Sequence, residues 1–268
     1  MSLQLPLPWP SVLRKTVIAA AVALPCLAAV ADPLPPFTFN LGAAGLPAGT
    51  ITADNIIISD FAAVTTTGTT FSETGYLSVQ SFQLVGTGFT PAGLNSTYGL
   101  YIAFSGHGTT SSGDPTAAPT FGSFTDLSYT LYGYNGTATF GFSGNTPTET
   151  ASGEVVLATG SLISGTVATL PATNGKYTAS ANLFLTLTPD AENGGFFQSP
   201  VPFYNVAESE FGNTTRTIEP FENGGGFRVR QGGGSINFAS TVPEPGTYAL
   251  LAAGLAAVGF TARRRSRS

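Results

Sequence analysis

The chain has 268 residues, of which only 9% are charged and 42% hydrophobic, with a formal net charge of −5. Between Asp32 and Val242 four cations face fourteen carboxylates, a net charge of −10, so this segment repels nucleic acid and phospholipid headgroups and attracts divalent cations or basic partners. Met1, Trp9 and Cys26 all precede Asp32, which excludes disulfides, thiolate metal sites and cysteine nucleophiles from everything after it.

At the N-terminal end, Arg14 and Lys15 precede an apolar run from Thr16 to Leu24, then the helix breaker Pro25 and the small residues Ala29 and Ala31. Charged region, apolar region and A-x-A ending predict a signal peptide over residues 1–31, cleaved between Ala31 and Asp32. Cys26 is not read as a lipidation site, because Pro25 stands where a small residue is required.

Residues 32–242 are expected to form one extracellular domain, since a chain of about 210 residues can bury about 70% of its unfolded surface. The pattern is β almost throughout, in short alternating runs broken by Gly, Asn, Ser and Thr. Strands are predicted to begin near Phe37, Asn55, Tyr76, Tyr98, Leu127, Thr137, Glu154, Gly165, Ala181, Gly226 and Ser235. In one of them Leu127, Tyr129 and Leu131 share a face opposite Ser128, Thr130 and Tyr132; in another Ala181, Leu183, Leu185 and Leu187 oppose Asn182, Phe184 and Thr186. About a dozen short strands predict an all-β fold, a β-sandwich. Residues 65–70 (TTTGTT) and 109–120 (TTSSGDPTAAPT) lack the apolar residues a strand must bury, and read as exposed loops.

Reactive chemistry is sparse. His107 is the only histidine, so any serine triad or imidazole metal site must use it, and no G-x-S-x-G elbow accompanies it. A glycosidase-like pair needs two acids with one pKa raised; Glu208 and Glu210 are one of many possible pairs. Asp190, Glu192 and Asn193 form an acidic loop able to offer oxygen ligands to Ca²⁺, but Val201 stands where an EF-hand loop needs its bidentate glutamate. Arg228 and Arg230 alternate on one strand, and their common face suits an acidic sugar or neighbouring carboxylates. Tyr132 and Tyr134 are candidates for stacking on sugar rings. No catalytic residue, metal ligand set or cofactor site is assigned, structural calcium being the one ion the acidic loop would suit.

The C-terminal end carries three signals in order: Pro243, Glu244 and Pro245; an apolar run over residues 247–262; and Arg263, Arg264, Arg265 and Arg267. Two prolines fix φ and hold the triplet extended, as a processing enzyme requires. The run would span about 24 Å as a helix at about 1.5 Å per residue, against about 30 Å of hydrocarbon, which suits a short or transient inner-membrane insertion with the arginines on the cytoplasmic side. This arrangement closely resembles the PEP-CTERM sorting signal over residues 243–268. The resemblance implies removal of the tail by exosortase in exopolysaccharide-producing Gram-negative bacteria.

The central segment is similar to the flocculation-associated PEP-CTERM proteins. The residues that carry this are TADNIIISDFAAVTTTGTTFSETGYL from Thr52, GLNSTYGLYIAF from Gly93, LSYTLYGYNGTATFGF from Leu127, LATGSLISGTV from Leu157 and GFRVRQGGGSINFA from Gly226. That resemblance implies a non-enzymatic, exported protein, at the cell surface or extracellular after processing, that promotes aggregation in flocs or biofilm together with exopolysaccharide. Self-association through edge strands, multivalent contact with polymer and calcium bridging are the ways it would link cells. A secreted carbohydrate-binding module, or a secreted hydrolase built on His107 or a carboxylate pair, are the alternatives.

Overall fold

The structure, a computed structural model, describes residues 34–239 with residue 112 excepted. The expected cleavage site at Ala29, Ala31 and Asp32 and the expected sorting signal, with its apolar segment, lie outside the described residues. Among those residues no helix is long and apolar enough to cross a membrane.

Strands β1 (Phe37–Asn40) and β2 (Thr50–Ala53) form a short ribbon. Then come β3 (Asn55–Thr67), β4 (Thr70–Leu84), the short β5 (Thr87–Phe89), β6 (Tyr98–Thr110) and β7 (Thr120–Asn135). A hairpin of β8 (Phe140–Ser143) and β9 (Thr146–Glu149) precedes β10 (Val155–Pro171) and β11 (Tyr177–Thr186). The chain finishes with β12 (Thr188–Pro189), β13 (Phe197–Ser199), β14 (Val206–Asn213), β15 (Ile218–Pro220) and β16 (Gly226–Ala239).

Eight long strands pair antiparallel in chain order, β3, β4, β6, β7, β10, β11, β14 and β16, and β16 returns to pair with β3. The all-β expectation holds, but the architecture is a closed up-and-down barrel and not a β-sandwich. The number of strands misled. Two predicted strands at Glu154 and Gly165 are one strand, β10, and two at Gly226 and Ser235 are one strand, β16. Bulges between Leu162 and Ser164, and between Arg230 and Gly232, carry the pairing through the small-residue breaks that read as turns. The threonine run at 65–70 is no loop either. Thr65 to Thr67 end β3, Thr70 begins β4, and Gly68 at φ 61° opens the two-residue turn between them.

Alternation sorts the side chains as expected where the strands were read correctly. Leu127, Tyr129 and Leu131 point into the barrel, as do Leu183 and Leu185, while Phe184 points out and stays exposed. One end of the barrel is closed by an aromatic cluster: Phe39 stacks on Phe196 with centroids 4.5 Å apart and meets Phe82 edge-on, and Phe37 meets Phe238 at 4.9 Å. Each of these rings is almost fully buried. Outside the wall, the β8–β9 hairpin lays Phe140 against Phe61, Tyr76 and Tyr101, covering outward aromatics of β3, β4 and β6.

The β4–β5 turn places Val85 at φ 51° and Gly86 at φ 73°, with the Val85 side chain 78% exposed. A β-branched residue is strained in this left-handed region, which asparagine tolerates, although the Val85 N–H donates to Asp54 Oδ2. Val85→Asn is expected to stabilise the fold by about 1 kcal/mol, read as a higher urea midpoint at unchanged slope.

Candidate functional site

Eight strands enclose room for packed side chains or for one small ligand. Here a cavity of about 490 Å³ remains inside the barrel, lined mainly by aliphatic and aromatic side chains from all eight strands. Phe238 lies at the end that the aromatic cluster closes. The opposite end is rimmed by Thr66 and Gly68 at the β3–β4 turn, by Ser111 to Thr116 of the β6–β7 loop with residue 112 aside, and by Gly224 and Gly225 before β16. Both threonine-rich stretches singled out in the sequence therefore meet at one mouth.

Two acids interrupt this apolar interior. On β3 the inward positions run Ile56, Ile58, Asp60, Ala62 and Val64; on β4 they run Phe71, Glu73, Gly75, Leu77 and Val79. Asp60 is opposite Leu77 and Glu73 is opposite Val64 in the ladder, with Ala62 and Gly75 between them. Asp60 is 3% exposed, and Glu73 retains some accessible surface, which opens into the cavity.

Asn213, the last residue of β14, donates from Nδ2 to Asp60 Oδ2 at 3.4 Å, reaching over β16 at Gly232, which faces Asp60 in the ladder. A side chain at 232 would collide with the Asn213 amide oxygen, so the bond requires glycine there. Asp60 Oδ1 and Asn213 Oδ1 are buried without a hydrogen-bond partner among the described residues. Burial outweighs the Asn213 bond and raises the Asp60 pKa to about 7. Burial and the neighbouring Asp60 charge raise that of Glu73 to about 8. Two further titratable groups line the wall: Tyr129, whose hydroxyl donates to the Thr186 carbonyl at 2.9 Å, and Tyr177, which burial pushes up to about 12.

The residues the sequence singled out lie elsewhere. His107 Nδ1 is 2.9 Å from Asp126 Oδ1 on the outer face of β6 and β7, with both side chains 64% exposed. An exposed pair of this kind contributes about 0–1 kcal/mol. Among the described residues no serine hydroxyl bonds to His107. Glu208 and Glu210 project outward from β14, away from the cavity. Asp190 Oδ2 accepts from the backbone N–H groups of Glu192 and Asn193 and from Asn193 Nδ2, so the acidic loop uses that oxygen to fold itself. Among the described residues no group of three or more His, Cys, Asp or Glu is placed to hold a metal.

Arg228 and Arg230 do share an outer face, where Glu219 pairs with both at 3.1 Å and the Phe142 ring underlies both guanidinium groups. Tyr134 is fully buried and Tyr132 stacks on Tyr101 at 5.1 Å, so neither offers the free ring that a sugar needs. Closure also corrects the expected mode of self-association: none of the eight long strands leaves an edge free.

The buried acids set the pH response of the fold. Their folded-state pKa values lie above the unfolded ones, so between about pH 4 and about pH 8 the folded chain holds more protons than the unfolded chain. Stability from these groups is therefore greatest at about pH 4, falls by a few kcal/mol up to about pH 8, and levels off above. Denaturant titration across this range checks it: Asp60→Asn with Glu73→Gln should flatten the decline, while Glu208→Gln should not.

The C-terminal expectation agrees with an independent comparison. Residues 241–265 match the PEP-CTERM protein-sorting motif, directly after the last described strand, which ends at Ala239. The chain matches no curated protein and no solved structure. The motif marks the chain as one sorted and processed by exosortase, exported across the inner membrane to the surface or beyond.

Proposed function

We propose that this protein acts without catalysis at the cell surface or in the extracellular matrix, where it promotes aggregation of cells together with exopolysaccharide. The match of residues 241–265 to the PEP-CTERM motif carries this reading, because it supplies the address. The described chain supports it in three ways. The His107–Asp126 pair is exposed, and the neighbouring Thr125 hydroxyl bonds to the His107 carbonyl and to Asp126 instead of to the imidazole, while the Asp60–Glu73 pair sits among apolar walls ill suited to the many hydroxyls of a sugar. The central segment is strongly anionic, which favours bridging to acidic polymer through divalent cations. The outer face of β7, β10 and β11 exposes Phe121 (61%), Leu170 and Phe184, an apolar surface for face-to-face contact between copies where the barrel strands themselves offer no edge.

A carbohydrate-binding module is the weaker reading, because Tyr132 and Tyr134 are occupied in packing. The secreted-hydrolase reading rests on His107 or on the cavity acids.

Intact mass of the protein from cells and culture fluid, with and without exosortase, tests the address. The account expects a chain running from Asp32 to near Pro245 only where exosortase is present, and fewer flocs in its absence. Retention of residues 246–268 in both strains would remove the main support. His107→Ala is expected to leave both aggregation and hydrolysis of matrix polysaccharide unchanged; loss of a hydrolytic activity in that variant would favour an enzyme.

A further inference from the structure

We propose that the barrel cavity is a binding site for a small apolar molecule bearing one protonated amine, its ammonium group bonded to Asp60 and Asn213 and attracted by the Glu73 carboxylate further along the wall. The site is independent of the sorting tail and of the aggregation role.

Size and shape come first. A cavity of about 490 Å³ lies within the range of small-molecule sites, which run to roughly 300–1,000 Å³. It is closed at Phe238 and rimmed by loops at the other end, so it suits a molecule that enters lengthwise with its apolar body along the wall.

The polar atoms inside then select the head group. Asp60 Oδ1 and Asn213 Oδ1 are buried, unpartnered acceptors there, and no hydrogen bond to the Glu73 carboxyl is found among the described residues. An ammonium group carries three donors and no acceptor, which complements this set, and its charge offsets that of the ionised acids. A carboxylate or phosphate head is disfavoured. The four cations of the described residues are Lys176, Arg216, Arg228 and Arg230, and none of them lines the cavity.

Binding must depend on pH. The titratable groups that line the cavity are Asp60 on β3, Glu73 on β4, Tyr129 on β7, Tyr177 on β11 and Asp114 at the rim. Both tyrosines are neutral near pH 7, their pKa values being raised by burial, and Asp114 is ionised there, its pKa being lowered by bonds from Thr116. The change between pH 6 and pH 8.5 therefore falls on Asp60 and Glu73. A bound cation favours their ionised forms, so it binds more tightly as they lose protons.

Titration calorimetry of the chain recovered from cells, using decylammonium, decanol and decanoate at pH 6 and pH 8.5, tests the assignment. Decylammonium is expected to bind about ten-fold or more tightly at pH 8.5 than at pH 6, decanol more weakly without pH dependence, and decanoate not at all at pH 8.5. Asp60→Asn with Glu73→Gln, close to isosteric, should remove the preference for the amine and its pH dependence. Leu185→Trp, which fills the cavity, should abolish binding while circular dichroism stays that of the native barrel. Equal affinity for amine and alcohol, or an amine affinity untouched in the double variant, overturns the head-group assignment. Absence of binding by all three probes, or binding that survives Leu185→Trp in a folded barrel, overturns the site itself.

Discussion

Closure of the barrel is the constraint on which the rest of this structure depends. β10 pairs with β7 on one side and β11 on the other, and β16 returns to β3, so the antiparallel sheet has no end. An inside and an outside follow at once from the two-residue alternation of each strand. A sandwich of the same strands would interdigitate two faces into a solid core; a closed ring of eight holds its walls apart and leaves a space. Asp60 and Glu73 owe their high pKa values to that enclosure, because their inward positions remove them from bulk water with only Asn213 as a hydrogen-bonding partner. Two acids kept in an apolar interior are a standing cost to the fold, and their inward placement is the feature of the barrel that packing alone does not explain.

Much of the fold was legible. The alternation at Leu127, Tyr129 and Leu131, and again at Leu183 and Leu185, gave the correct inner faces, because hydrophobic periodicity directly records which face is buried. Topology was hidden at bulges. Small residues at 164–165 and 232–234 look like turns in a single sequence, whereas pairing with neighbours on both sides holds them in long strands. Strand β14 was not anticipated, since Glu208 and Glu210 give it an acidic outer face that obscures its inward Ala207, Ser209, Phe211 and Asn213.

The cavity acids were present as a signal that went unread. Asp60 breaks the inward series between Ile58 and Ala62, and Glu73 breaks the one between Phe71 and Leu77. A charged residue on the apolar face of a well-formed strand is the kind of local inconsistency that marks a site. Its partner Asn213 could not have been found this way, because its contact with Asp60 spans 153 residues and depends on the empty space above Gly232. That asparagine begins an N-x-T tripeptide, yet it is buried within the barrel. Conversely, His107, Arg228 and Arg230 drew attention because they are rare in this chain, and the structure pairs each of them on the outer surface.

The motif at 241–265 marks the chain for sorting and processing, and a different part of the chain, the barrel, supplies an enclosed apolar space with an acidic centre. The claim that those two acids lie inside the barrel, withdrawn from bulk water, is tested most directly by carbon-13 NMR titration of their side-chain carboxyl carbons. The account predicts that both titrate well above the ordinary carboxylate range, because burial disfavours their ionised forms. Midpoints for both in the ordinary carboxylate range, about 4, would contradict it and place them in contact with bulk water.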